Sequence, residues 1–198
     1  MPVRLTEIRI AGFGGQGVIL SATIIGKAAS IYSGGHAVMT QAFGPESRGG
    51  SSSAQLVLSD APILYPYVTR TDVLVALSQE AYTRFLPELK DGGTLIVERD
   101  LVRLSDVGRG IRVHGVPATR LAEDLGRRMV MNVVIVGFFG AVTRLLEPDA
   151  LRRAVEDSVP PAMRELNLRA FDKGFEYGTA SAPLEAPEPE PLPQLLGG

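Results

Sequence analysis

The sequence predicts an α/β fold: an open, Rossmann-like, mostly parallel sheet with flanking helices, extra C-terminal helices and a disordered tail. Three observations predict it. Short runs rich in Val, Leu and Ile alternate with amphipathic stretches up to about residue 125, as in a sheet covered on both faces. A glycine-rich turn, Gly12-Phe13-Gly14-Gly15-Gln16-Gly17, separates the first apolar run from the first amphipathic stretch. Thr179 to Gly198 interleaves Pro183, Pro187, Pro189, Pro191 and Pro193 with Glu185, Glu188 and Glu190, a composition that cannot bury a core.

The elements follow in order. Glu7 to Ala11 reads as the first strand. Gly15 to Ile31 reads as the first helix, with Val18, Ala22, Ile25 and Ala29 on its apolar face and Gly34-Gly35 closing it. A second strand is expected over Ala37 to Gln41, a Gly- and Ser-rich loop over Phe43 to Ser53, and a strand over Ala54 to Leu58. Val73 to Leu77 is the next strand. Ser78 is placed to cap a helix that ends near Leu89. Asp91-Gly92-Gly93 turns the chain into a strand over Thr94 to Val97. Arg112 to Val116 is the last strand. Helices are expected over Pro117 to Leu125, with Pro in the first turn, Met129 to Leu146, Pro148 to Val159 and Ala162 to Gly178. The Met129 helix is apolar nearly all round and should be buried by the sheet or a partner. Two regions result: an α/β domain over 1–178 and a tail over 179–198.

Composition narrows the function. The chain has 198 residues, 45% hydrophobic and 21% charged, with a net charge of −2. No broad basic field invites nucleic acid. There is no cysteine, which excludes disulfides, thiolate zinc sites, cysteine-ligated iron–sulfur clusters and a catalytic cysteine within these residues. His36 and His114 have no metal-ligand spacing, so no metal site is expected. The N-terminus lacks a signal-peptide core, and the longest mostly apolar run, Met129 to Val142, is too short to span a bilayer. A cytoplasmic protein without a membrane partner is expected.

The glycine turn carries the first functional reading. Glycines permit positive φ and close approach of phosphates, and the first N–H groups of the following helix favour an anion. The pattern alone does not name a nucleotide. A dinucleotide site places an acid at the end of strand two for the ribose. Here that strand ends in Met39-Thr40-Gln41, and Glu46 comes later in a loop, so a free NAD-dependent dehydrogenase is disfavoured.

Phe43-Gly44-Pro45-Glu46-Ser47-Arg48-Gly49-Gly50-Ser51-Ser52-Ser53 is the second unusual stretch. It lies at the carboxyl edge of the sheet, where open α/β sheets bind ligands. Arg48 is suited to gripping a phosphate or carboxylate, with Ser51 supporting. An internal Glu46–Arg48 ion pair that stiffens a surface loop is the alternative.

Together these stretches carry a resemblance. With Gly26-Lys27-Ala28-Ala29, Ser59-Asp60-Ala61-Pro62-Ile63, Pro66, Asp72-Val73-Leu74-Val75-Ala76, Asn132 and Gly137, they make the chain resemble the gamma subunit of 2-oxoacid:ferredoxin oxidoreductases over about residues 5–178. Phe43 stands where many of that family carry Tyr.

The resemblance implies a complex that oxidatively decarboxylates a 2-oxoacid (2-oxoglutarate or pyruvate) with coenzyme A, giving an acyl-CoA, carbon dioxide and reduced ferredoxin. It implies alpha and beta subunits as partners, with a delta subunit as a further option, and ferredoxin reached through the complex. Thiamine diphosphate, Mg and iron–sulfur clusters are then expected in those partners. No Gly-Asp-Gly followed at the usual distance by Asn, the Mg–diphosphate signature of thiamine enzymes, occurs here. No residue of this chain is expected to be catalytic. The residues expected to meet coenzyme A are Gly12, Gly14, Gly15, Gln16, Gly17, Glu46, Arg48, Gly49 and Ser51. Gly14 to Gly17 would act as backbone donors, Arg48 as anion clamp and Glu46 as the group orienting it. Two alternatives stand beside this: a non-catalytic interaction subunit of a related complex such as indolepyruvate oxidoreductase, and a free nucleotide-binding Rossmann protein.

Overall fold

The computed structural model describes residues 5–44, 50–105, 107–108 and 110–184. Six strands form one sheet: β1 (Leu5–Phe13), β2 (His36–Phe43), β3 (Ser51–Ser59), β4 (Thr71–Ala76), β5 (Leu89–Glu98) and β6 (Arg112–Val116), in the order β2-β3-β1-β4-β5-β6. The β1–β4, β4–β5 and β5–β6 pairings are parallel; β1–β3 and β2–β3 are antiparallel. The α/β reading and the parallel half of the sheet stand as expected.

The region between β1 and β4 is a correction. Of the expected loop over Phe43 to Ser53, both described ends are strand: Phe43 closes β2, and Ser51 to Ser53 open β3. β2 runs to Phe43, β3 begins at Ser51, and the two pair as a hairpin from His36↔Ser59 to Phe43↔Ser52. The apolar runs had the right residues, but periodicity does not report strand direction. β3 therefore separates β2 from β1. No parallel strand stands on that side of β1, so the end of β2 is not where a ribose acid would work.

Strand residues alternate between two layers. Ile8, Ile10, Leu56, Val73, Val75, Ile96 and Val116 enter one core with α1 (Val18–Lys27), α4 (Met131–Thr143), α5 (Pro148–Ser158) and α6 (Arg164–Ala180). Ala11, Leu74, Ala76, Leu95, Val97 and Val113 enter the other beneath α2 (Gln79–Phe85). The short helix α3 (Ala118–Glu123) joins the first core through Ala118 and Ala122.

Helix boundaries follow local chemistry. Ser78 caps α2 by accepting from the Ala81 N–H at 3.2 Å, as its position predicts. α1 is shorter than expected: regular helix stops at Lys27 and continues as a wider π turn over Ala28–Tyr32. Gly34 then takes φ 70°, and Gly35 donates to Ala29 O at 3.0 Å. α4 is buried from Met131 to Ala141, which explains its uniformly apolar sequence. Its closest neighbour is α6. A Cβ on Gly137 would strike the Phe171 carbonyl, and one on Gly174 would strike that of Val134. Glycines at both positions let the two backbones approach.

α6 continues through Ala180, and Leu184 donates to Val113 O at 2.7 Å on the outer edge of β6. The remainder of the expected disordered tail, 185–198, lies outside the described residues.

Candidate functional site

β1 delivers the chain into the glycine turn at the carboxyl edge of the parallel strands. Gln16 holds that turn. Its Oε1 accepts from the Phe13 N–H at 2.6 Å and its Nε2 donates to Leu77 O at 2.9 Å. The side chain thus ties the turn to the residue after β4. It also fills the space over Gly12, where a Cβ would meet Gln16 Oε1 and lie 2.9 Å from Leu77 Cβ. Gly15 and Gly17 take φ 93° and 72°.

The expected donors divide. Gly14 N–H already donates to Gly50 O at 2.8 Å, and Gln16 N–H to Phe13 O at 3.2 Å. Both are engaged in holding the turn. Gly15 stands in open space, with nothing within 4 Å of where its Cβ would be. Gly17 is the N-cap of α1 and offers no side chain to its first turn. The opening of α1 thus has no side-chain cap, the kind of helix start whose N–H groups favour an anion.

Two clefts flank the turn. On the α4 side, a cleft of about 380 Å³ is lined by Gly14, Gly15, Gln16, Arg128, Met129 and Met131. Arg128 is exposed and brings a cation to the cleft that Gly15 also lines. Behind the turn, Asn132 is 4% exposed and its Nδ2 is buried without a partner among the described residues. Ser21 Oγ donates toward Gly17 O (3.1 Å) and Asn132 O (3.3 Å), so it joins the opening of α1 to that of α4. On the α2 side, a cleft of about 190 Å³ brings Gly12, Phe43 and the three serines Ser51 to Ser53 against Ser78, Glu80 and Arg84.

Of the expected site residues, Gly12, Gly14, Gly15, Gln16 and Gly17 form the turn. Ser51 pairs with Phe13 across the β1–β3 ladder and lines the smaller cleft. Glu46, Arg48 and Gly49 lie outside the described residues. The residues flanking them are fixed beside the turn: Gly44 N–H donates to Ser51 O at 2.7 Å, and Gly50 O accepts from Gly14. Sequence reasoning missed Arg128 and Arg84 as cations at this edge. The Arg127-Arg128 pair after Gly126, just before an apolar helix, was the available signal for the first.

Glu98 ends β5 at the same edge and is fully buried. It accepts from the backbone N–H groups of Asp100 (3.2 Å) and Thr119 (3.1 Å), holding the turn after β5 to the start of α3. Burial raises its pKa, and those hydrogen bonds pull the other way. Its oxygens face backbone donors, so it serves structure. Among the described residues no group of three or more His, Cys, Asp or Glu is placed to hold a metal ion. No helix among them is long and apolar enough to cross a membrane.

Residues 7–177 match the family model described as pyruvate ferredoxin/flavodoxin oxidoreductase. The chain belongs to this family. Among relatives of this oxidoreductase chain, the 2-oxoglutarate synthase subunit KorC of Methanothermobacter thermautotrophicus is 48% identical over 176 residues, covering 86% of this chain and 93% of that one. KorC of Methanocaldococcus jannaschii is 42% identical over 172 residues, covering 86% and 92%. The crystal structure of a keto/oxoacid ferredoxin oxidoreductase gamma subunit from Geobacter sulfurreducens superposes with a TM-score of 0.81 at 40% identity, covering 89% of this chain and 98% of that one. The gamma-type likeness drawn from the two glycine-rich stretches agrees with these findings.

Proposed function

We propose that this chain is the gamma subunit of a cytoplasmic 2-oxoglutarate:ferredoxin oxidoreductase. The complex would convert 2-oxoglutarate and coenzyme A to succinyl-CoA and carbon dioxide, passing the electrons to ferredoxin. The observation that carries the reading is near-full-length similarity to two subunits named for 2-oxoglutarate synthase. The residues present do not fit an iron–sulfur cluster held by thiolates, because the chain has no cysteine. Thiamine diphosphate, Mg and the clusters are assigned to alpha and beta subunits, with delta as a further member.

The role assigned to this chain is to hold coenzyme A at the glycine turn. Its diphosphate suits the Gly15 N–H, the uncapped opening of α1 and the Arg128 guanidinium across the cleft. Arg48 and Ser51 are assigned as further contacts from the hairpin side, with Glu46 orienting Arg48. A second reading has its own support: Phe43, Tyr65 and Tyr67 are 66%, 62% and 58% exposed, which favours subunit contacts on the hairpin side.

The test uses the chain co-expressed with its partner subunits and follows 2-oxoglutarate-dependent ferredoxin reduction. Arg128→Ala and Arg48→Ala should each raise the KM for coenzyme A about tenfold, equivalent to ~1.4 kcal/mol, and leave that for 2-oxoglutarate unchanged. Unchanged coenzyme A dependence in both variants favours the contact reading. Turnover by the lone chain would end the assignment as a non-catalytic subunit.

A further inference from the structure

At the far end of the strands from the glycine turn lies a basin of about 500 Å³. The starts of β1 and β6 and the middle of β5 line one side of it, through Thr6, Thr94, Arg112 and His114. The end of α4 lines the other, through Thr143 and Arg144. Neither guanidinium has a carboxylate partner among the described residues. Arg112 donates from Nη2 to Thr94 Oγ1 at 3.0 Å. Arg144 is the non-glycine residue with positive φ among those described, at 51°. It closes α4 by donating its backbone N–H to Gly140 O at 3.1 Å, while its side chain makes no hydrogen bond among the described residues.

His114 adds an independent observation. It is 8% exposed, and its Nδ1 is buried without a partner among the described residues. Buried polar atoms are usually hydrogen-bonded, and an orphan calls for an explanation. Burial and then the Arg112 charge lower the pKa of this ring, so the neutral imidazole is favoured.

The opposing charges are few. Asp72 lines the basin, but its carboxylate accepts from Lys90 Nζ (2.9 Å) and from Glu7 N–H (2.8 Å). Glu7 is bonded to the same ammonium at 2.8 Å. The cations Arg112, Arg144 and Lys90 outnumber the carboxylates Asp72 and Glu7. The carbonyl end of α4 opposes an anion, which leaves the work to the two guanidiniums.

We infer that this basin is a second anion site, remote from the glycine turn, that takes a small phosphate- or carboxylate-bearing metabolite between Arg112 and Arg144, beside the His114 ring. Guanidinium forks suit both oxyanions. The site does not depend on coenzyme A binding elsewhere.

The chain holds two histidines, His36 and His114, so the imidazole resonances of the full chain make a direct readout. His36→Gln assigns them. Inorganic phosphate and succinate are titrated separately at constant ionic strength, against chloride. One of the two anions should shift the His114 resonance saturably and raise its pKa, while His36 stays unmoved; the arm that saturates names the source. The exposed Arg144→Gln should weaken that saturation about tenfold. Arg112→Gln should weaken it similarly. A His114 response that follows ionic strength alone, or that persists in both arginine variants, overturns the inference.

Discussion

Asn132 packs directly over the backbone of Gly17. A Cβ built at Gly17 would lie 2.5 Å from Asn132 Cβ and 2.7 Å from its Cγ. The opening of α4 is thus pressed against the opening of α1, more than a hundred residues away in the chain, where Ser21 Oγ also donates to Asn132 O. Gly17 also has φ 72°. Two penalties add in Gly17→Ala: the left-handed backbone and the overpacking of Asn132, together about 3 kcal/mol. Gly15→Ala meets only the first, because the space at Gly15 is open, and should cost about 1 kcal/mol. Urea midpoints of the two variants check the pair. Equal losses would mean that Asn132 yields freely.

Gln16 offers a sharper separation of structure from binding. Gln16→Glu keeps the acceptor for the Phe13 N–H and replaces the donor to Leu77 O with a second oxygen. An unmet carbonyl beside a carboxylate should cost about 1–3 kcal/mol. On the proposed coenzyme A role, the same charge repels an anion at the turn, so coenzyme A affinity of the complex should fall together with the melting temperature. A variant that melts as wild type shows that the Leu77 bond contributes little.

Much of this edge was legible because its signals are local. Strand, glycine turn and helix follow one another directly, and Ser78 sits beside the N–H it caps. The β2–β3 hairpin was not legible. Ser51, Ser52 and Ser53 read as loop because serine is a turn former. In the fold, Ser52 and Ser53 are buried, and all three complete a ladder opposite Phe13, Gly12 and Ala11. Asn132 entered the sequence reading only as one residue of the family resemblance. What it touches depends on α4 returning to the glycine turn, a tertiary fact that no window of sequence holds. Arg128 reaches the cleft by the same return.

The α4–α6 contact predicts a large effect far from any ligand. At Gly174 a Cβ would run into the Val134 carbonyl, which is backbone and cannot rotate away. Gly174→Ala should therefore destabilise by about 3 kcal/mol or more. Gly26→Ala, in α1, is the contrast. Its Cβ would lie 3.3 Å from Leu56 Cδ1, the tip of a flexible side chain, and alanine gains about 1 kcal/mol in helix propensity over glycine. That variant should be close to neutral. Denaturation midpoints of both decide the matter, and a destabilised Gly26→Ala would show that Leu56 has no room to turn.

The buried carboxyl of Glu98 predicts a pH dependence with a definite sign. Burial raises its folded pKa above the ordinary value, despite the hydrogen bonds from Asp100 and Thr119. The native state then holds this proton more tightly than the unfolded chain does. The stabilisation from that linkage is complete below the ordinary carboxylate pKa and is lost as pH rises through the raised folded value. Glu98→Gln removes the titration, so its stability relative to wild type should improve steadily across that window. A constant offset is superimposed, because the new NH₂ must face either the Asp100 N–H or the Thr119 N–H. The slope, not the offset, carries the test. Urea midpoints from about pH 4 to about pH 8 should converge toward, or cross, the wild-type curve as pH rises; parallel curves would mean that the fold leaves this carboxyl's affinity for its proton unchanged.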